Sequence, residues 1–162
     1  MSRICIPEHF KVVEGISNLT DGSARTSDAV CLKNCRRATA ICTILGGAAA
    51  AMDINPYQQT DVDNSLSDEK AFTNSLRWWM NAATTTSDTL TAQTAATTMD
   101  TAATAANKMV IIQIDPVQLD VANGFDCVKI KTEGDSASNL ISVVWLLETD
   151  YAQGTPPAAI TD

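Results

Sequence analysis

The sequence has little of what enzymes and nucleic-acid-binding proteins depend on. Its 162 residues include one histidine, His9, and aromatic residues make up only 5%. Lys and Arg number 11 against 19 Asp and Glu, which gives a formal net charge of −8. Nucleic acids are held largely by basic side chains that neutralise phosphates, so this balance argues against nucleic acid as a partner.

Long hydrophobic runs are also lacking. The longest nearly apolar stretch, Ala38 to Met52, has 15 residues, whereas a helix that crosses a membrane needs about 20. The first residues, Met1 to Pro7, do not contain the apolar core of a signal peptide. We therefore expect synthesis in a cytosol and no membrane partner.

No motif for catalysis stands out. A nucleophile needs a base beside it, and His9 offers no partner by spacing. Gly46 and Gly47 precede alanines instead of the lysine of a phosphate loop. The stretch from Asp61 begins like a calcium loop but has Phe72 where a glutamate is needed. The sequence therefore predicts no catalytic or cofactor-binding residues and favours a structural protein over an enzyme.

The chain contains five cysteines, at positions 5, 31, 35, 42 and 127. An odd count without an export signal predicts free thiols. Cys31 and Cys35 are spaced C-x3-C, but zinc sites usually combine two such pairs or add histidines. We expect no metal and no cofactor, and we expect the cysteines to be small core residues.

Short apolar or alternating stretches separated by turn residues dominate the chain. They are typical of strands and predict an all-β domain, either a β-sandwich or a jelly roll. The predicted strands are Phe10–Ile16, Ala29–Lys33, Thr39–Leu45, Ile54–Thr60, Leu76–Met80, Met109–Ile114, Phe125–Thr132 and Leu140–Glu148.

Three local features refine this prediction. Pro56 predicts that its strand lies at a sheet edge or contains a bulge, because proline has no backbone N–H to donate to a neighbouring strand. The loop Glu133 to Ser136 predicts a hairpin connection between the last two strands. Asp115 followed by Pro116 predicts one short helical turn, since proline suits the first helical position and aspartate can cap it.

The segment from Ala82 to Ala106 is compositionally unusual, because 19 of its 25 residues are Ala or Thr. Ala favours helix and Thr favours extended backbone. The alternatives are a helix, a flexible linker, or extended strands docked on a larger body. Docked strands are favoured because Thr pairs well across strands. With so few large apolar side chains, we expect neighbouring subunits to order the segment.

Two adjacent tryptophans form the strongest candidate for an interface. Successive side chains of a strand point to opposite faces. Leu76 and Met80 share a face with Trp78, which predicts Trp78 in the core and Trp79 as an anchor on a neighbouring subunit. The alternative is a strand buried on both faces.

The C-terminal stretch predicts a separate element. Residues 1–152 are expected to form the single β-rich domain, and residues 153–162 an extended tail. Pro156 and Pro157 give this tail a stiff extended piece. Both are candidate interface residues if the tail is an arm that packs on a neighbour, and disorder is the alternative.

Several segments, in order along the chain, resemble a group of small virion structural proteins of tailed bacteriophages. They are Lys11–Ile16, Val30–Asn34, Gln58–Val62, Ser87–Thr91 and Asn107–Ile130. The resemblance implies a head-associated capsid decoration or cement protein, made in the bacterial cytoplasm and located on the capsid surface of the virion. It implies the major capsid protein as a partner, and self-association around a capsid symmetry axis, a trimer being one arrangement.

Other functions remain as alternatives to capsid decoration. The chain could be a tail, neck or baseplate component, or a carbohydrate-binding module on the virion surface, since jelly rolls also host lectins. An enzyme is the alternative from a different class. The fold does not choose among these functions.

Overall fold

A computed structural model describes residues 4–19, 24–63, 68–134, 136 and 138–150. These residues form one short helix, Ile6–His9, and twelve strands in two antiparallel sheets. The strands are β1 Phe10–Leu19, β2 Arg25–Thr26, β3 Val30–Cys31, β4 Cys35–Leu45, β5 Met52–Gln59, β6 Glu69–Ala71, β7 Arg77–Asn81, β8 Thr91–Ala92, β9 Met99–Asp100, β10 Lys108–Ile114, β11 Cys127–Gly134 and β12 Leu140–Thr149. The predicted all-β sandwich is confirmed.

The two sheets have six strands each but differ in continuity. Sheet 1 has the strand order β1-β12-β4-β10-β7-β8. Sheet 2 has the order β2-β11-β5-β6, with β3 also paired to β11 and β9 also paired to β5. Within the part of the chain that the structure describes, no helix has the length and apolar composition to cross a bilayer.

A single register row shows how sheet 1 builds its half of the core. The row runs through Val13, Trp145, Ala40, Ile112 and Trp78, on five adjacent strands. All five side chains are buried and belong to one hydrophobic core shared with sheet 2. The small Ala40 lies between the larger Trp145 and Ile112, and close packing of unequal side chains is typical of protein interiors.

Gly15 gives the largest of these side chains its space. A Cβ atom at this position would lie 2.8 Å from Nε1 of Trp145, which is closer than a real side chain allows. The indole of Trp145 is completely buried. The glycine in β1 is therefore explained by the close approach of the strand backbone to this ring.

The position of β5 corrects one prediction. Pro56 does not lie on an edge strand, because β5 is paired to β11 along its whole length. On its other side β5 pairs with β9 only at Asp53 and Ile54, and with β6 only from Tyr57 onward. Pro56 falls in the gap between these two short partners, where a missing N–H costs the ladder little.

The predicted hairpin at Glu133 to Ser136 is wrong. Strand β11 belongs to sheet 2 and β12 belongs to sheet 1, so the chain crosses between the sheets there. The predicted helical turn is confirmed as a 3₁₀ turn over Pro116–Gln118. The backbone N–H of Asp115 donates to Oε1 of Gln118 at 2.9 Å, which fixes the start of this turn.

The Ala/Thr segment, residues 82–106, contains no helix and consists of two short strands and a bridge joined by turns and irregular stretches. Its strand β8 pairs with β7 of sheet 1, and its strand β9 pairs with β5 of sheet 2. Between them, Ala96 exchanges backbone hydrogen bonds with Leu76. The predicted docked conformation is confirmed, but the body on which the segment docks is the protein's own sandwich. The expectation that neighbouring subunits add to its order stays a prediction.

Candidate functional site

The two tryptophans of β7 lie on opposite faces of sheet 1, as predicted. Trp78 is only 7% exposed, and its Nε1 donates to the carbonyl of Thr94 at 2.8 Å. Trp79 is half-buried on the outer face, and the guanidinium of Arg77 lies 5.2 Å from its ring centroid. The core position of Trp78 is confirmed, and the anchoring role of Trp79 stays a prediction.

Trp79 belongs to an apolar row on the outer face of sheet 1. Its register partners across the sheet are Ile111, then Ile41, then Val144. These four adjoining half-buried side chains are termed the outer stripe. A sheet that faces water on one side normally carries polar residues there. An apolar row in this position is a candidate contact surface.

The outer face of sheet 2 is charged instead. Lys129 has no exposed surface, and its Nζ lies 3.0 Å from a carboxylate oxygen of Glu69. Lys131 pairs with the other oxygen of Glu69 and lies 4.9 Å from the ring centroid of Tyr57. Burial would raise the pKa of Glu69, but the hydrogen bond from Lys131 and the positive charge of the paired Lys129 outweigh it and hold the pKa below its ordinary value.

A third feature gathers two cysteines and an aspartate at one end of sheet 2. Cys31 of β3 is the direct register partner of Cys127 of β11. The Cys127 thiol donates to Oδ1 of Asp126 at 3.2 Å, and the ammonium of Lys33 lies 2.8 Å from Oδ2. The donor atoms of Cys31, Asp126 and Cys127 all lie within 4.8 Å of one another. These three residues are termed the thiol cluster.

The thiols of the protein differ in acidity. The facing Cys127 side chain, aided by a hydrogen bond from the backbone of Lys33, lowers the pKa of the Cys31 thiol to about 6. The interaction with Cys31, together with burial, raises the pKa of Cys127. Burial raises the pKa of Cys35 to about 11 and that of Cys42 to about 12. Cys31 is therefore the thiol held as a thiolate near neutral pH.

We expect Cys31 to be alkylated at pH values where ordinary thiols hardly react. With a pKa of about 6, its labelling rate should reach half of its maximum near pH 6, against about 8.5 for an unperturbed cysteine. The measurement is iodoacetamide labelling with a chelator present, followed by peptide mass spectrometry. Cys127→Ala should shift the midpoint upward, whereas Cys127→Ser keeps a donor and should leave it low. A wild-type midpoint at the ordinary value would contradict this assignment.

Sequence reasoning did not find the thiol cluster. The C-x3-C spacing drew attention to Cys35, whose Sγ lies 4.0 Å from the carbonyl oxygen of Cys31 across a turn. The cysteine that lies opposite Cys31 is Cys127, and the two residues meet only through the register of β3 with β11. All five cysteines are free thiols in the structure, and Cys42 and Cys127 are buried as predicted. Cys5 is exposed, which corrects the expectation that it is a core residue.

The predicted interface residues of the tail lie outside the described residues. The structure describes the chain as far as residue 150, so that Pro156, Pro157 and the proposed boundary after residue 152 stay predictions. Among the predicted interface residues, the described part of the chain contains Trp79.

Comparison with known proteins finds similarity in three-dimensional structure but not in sequence. No protein-family model and no curated protein matches the chain. Among solved structures, the chain is similar to the SPBc2 prophage-derived protein YomS, with a TM-score of 0.48 and 13% identity over 91% of this chain and 100% of that one. It is also similar to the coat protein of Tobacco streak virus, with a TM-score of 0.27 and 12% identity over 96% of both chains. The similar structures thus include a prophage-derived protein and a virus coat protein, and similarity at this level carries no argument about function.

Proposed function

We propose that the protein is a structural component of a bacteriophage virion, and more specifically a capsid decoration or cement protein. In this role it binds the major capsid protein on the capsid surface and stabilises the head. Several of its segments resemble small virion proteins of tailed phages and occur in the same order along the chain, which supports the proposal. The observation that carries it is the outer stripe, because such a protein must present a surface to which another protein adheres.

The outer stripe has the properties of a protein-binding surface. Its four side chains lie side by side on a flat sheet, and covering them would remove apolar area from water at about 25 cal/mol per Å². Trp79 and its neighbour Arg77 are of the residue types most enriched among the side chains that dominate binding energy. The indole is held by the guanidinium at 5.2 Å, so little side-chain freedom is lost on binding.

The two outer faces support an oriented attachment. The face of sheet 2 carries Glu69, Lys129 and Lys131, which are paired with one another. The chain as a whole is acidic, and a net charge of one sign favours solubility and disfavours nonspecific association. We place the face of sheet 1 against the capsid protein or against a second copy around a capsid axis, and the face of sheet 2 toward solvent.

Purified phage particles test this proposal through copy number and retention. We expect hundreds of copies per wild-type particle, whereas a few dozen would indicate a neck or baseplate component. Trp79→Ala should leave the melting of the free protein nearly unchanged and strip most copies from the particle.

Val117→Ala serves as the matched control, because Val117 is 88% exposed and lies outside the outer stripe. This variant should be retained like the wild type. Full retention of Trp79→Ala would show that the outer stripe does not bind the shell. Absence of the wild-type chain from particles would refute the virion role itself.

A further inference from the structure

The thiol cluster lies apart from the outer stripe, and the virion role does not use it. Its three donor atoms come from two chain segments that the fold brings together, with all pairwise separations within 4.8 Å. We propose that Cys31, Asp126 and Cys127 form a binding site for a thiophilic divalent cation, with Zn²⁺ as the representative ion. This inference rests on the geometry alone and does not depend on the virion role.

The donor set suits such an ion. Zn²⁺ is held by thiolate sulfur at about 2.3 Å and by carboxylate oxygen at about 2.0–2.2 Å, usually in tetrahedral geometry. Two sulfurs on one tetrahedral ion lie about 3.8 Å apart. The donor atoms here are at most 4.8 Å apart, so side-chain rotations that close the sulfur pair by about an ångström at most complete the site. Two thiolates and one carboxylate leave the fourth position open to water.

The backbone around the cluster is well fixed. Cys31 and Cys127 face each other in the ladder, and the N–H of Leu32 donates to the carbonyl of Asp126 at 2.8 Å. The turn that follows is closed by Asn34 with a positive φ of 61°, a conformation that asparagine tolerates well. Donors held in this way lose little freedom when an ion binds.

The three donor residues differ in how deeply they are buried, and the difference suits a binding site. Cys127 is 2% exposed, while Cys31 and Asp126 are half-buried. The inner sulfur is therefore shielded from water, and the other two donors leave an entry path for the ion.

The local charges also balance. Two thiolates and a carboxylate carry three negative charges, and a divalent cation leaves one of them. The ammonium of Lys33, 2.8 Å from Oδ2 of Asp126, offsets that remaining charge. Oδ1 accepts from the Cys127 thiol in the metal-free protein. The ion would therefore replace the thiol proton, as metal binding to cysteine generally does.

A disulfide between the two facing thiols is the competing use of this geometry. It would consume both sulfurs and would make no use of the carboxylate. We commit to the cation because Asp126 is directed at the sulfur pair, with Oδ1 3.2 Å from Sγ of Cys127.

Titration of the reduced full chain with Co²⁺ tests the site, followed by displacement with Zn²⁺. We expect one equivalent to bind, with a thiolate-to-cobalt charge-transfer band that Zn²⁺ abolishes. Cys31→Ser should weaken binding by more than about 100-fold and Asp126→Asn by at least about 10-fold, since even outer-shell partners of metal ligands are worth 10–100-fold. Cys5→Ser is the matched control, because it removes an exposed thiol outside the cluster and should change nothing.

Three outcomes would overturn the inference. They are the absence of a thiolate band in the wild type, a band of equal strength and affinity in Cys31→Ser, and a Cys31–Cys127 disulfide that persists in reductant. Thermal melting of each variant without metal separates lost binding from lost folding. Asp126→Asn keeps the side-chain volume, so that it tests the site even if Cys31→Ser is unstable.

Discussion

Replacing Trp78 by Ala is expected to lower the free energy of unfolding by about 3–5 kcal/mol, the usual cost of truncating a buried tryptophan. Trp78 is 7% exposed and ends the core row of sheet 1 beside Ile112. Its Nε1 also donates to the carbonyl of Thr94, so the substitution removes a tie that holds the Ala/Thr segment to the sandwich. Urea unfolding followed by circular dichroism measures the loss.

Trp79→Ala is the matched control, since it removes the same side chain from the next position on the same strand. Trp79 is half-buried and outward, so the variant loses the contact with Arg77, of about 0.5–1 kcal/mol, and part of the packing against Ile111. We expect the unfolding midpoint of this variant to fall clearly less than that of Trp78→Ala. Equal losses in the two variants would mean that both indoles are core residues.

Glu69→Gln is expected to cost about 3–5 kcal/mol, because removing one partner of a buried ion pair leaves the other charge uncompensated. The ammonium left behind is that of Lys129, which has no exposed surface, while Glu69 itself is 17% exposed. Lys129→Met should cost much less, because it replaces the buried charge by an apolar chain and leaves Glu69 paired with Lys131. Denaturant unfolding of both variants at pH 7 measures this asymmetry, and the reverse order would contradict it.

The lowered pKa of Glu69 predicts how the stability of the protein changes in acid. The pKa of Glu69 is lower in the folded protein than its ordinary value, which is about 4.3 in an unfolded chain. Its stabilising contribution is therefore fully present above that value and is lost as the pH falls through the lower folded pKa. Melting temperatures measured between pH 7 and pH 3 should fall less steeply for Glu69→Gln than for the wild type. Parallel curves would show that Glu69 does not contribute to the acid sensitivity.

Much of the fold could be predicted because alternation in a strand reports directly on burial. The period of two placed Trp78 inward and Trp79 outward, and it placed the strand Lys108–Ile114 with little error. The order of strands within the sheets could not be predicted, because local pattern carries no information on which strands pair. The mistaken hairpin after Glu133 arose in this way.

The candidate sites were harder to predict for the same reason. Cys31 and Cys127 are far apart in the chain and meet only through the register of β3 with β11. Lys129 follows the alternation of its strand and points outward, but Glu69 of β6, two strands away in the sheet, pairs with it. The Ala/Thr segment gave no periodic signal because its side chains are too small to alternate, and its conformation depends on the two sheets beside it.

The pairing of β1 with β12 constrains how the chain can fold as it is synthesised. Among the strands that the structure describes, β12 is the sole neighbour of β1 in its sheet, and Phe10 pairs with Glu148 near the far end of the described chain. At a ribosomal rate of about 5–20 residues per second, β1 is synthesised roughly 7–28 seconds before its partner is complete. During that time Val13 and Ile16, both buried in the finished sandwich, lack the β12 residues that pair with their strand. We therefore expect the nascent chain to need a chaperone. In the test tube we expect refolding to be slow, with a yield that falls as the protein concentration rises because incompletely folded chains aggregate.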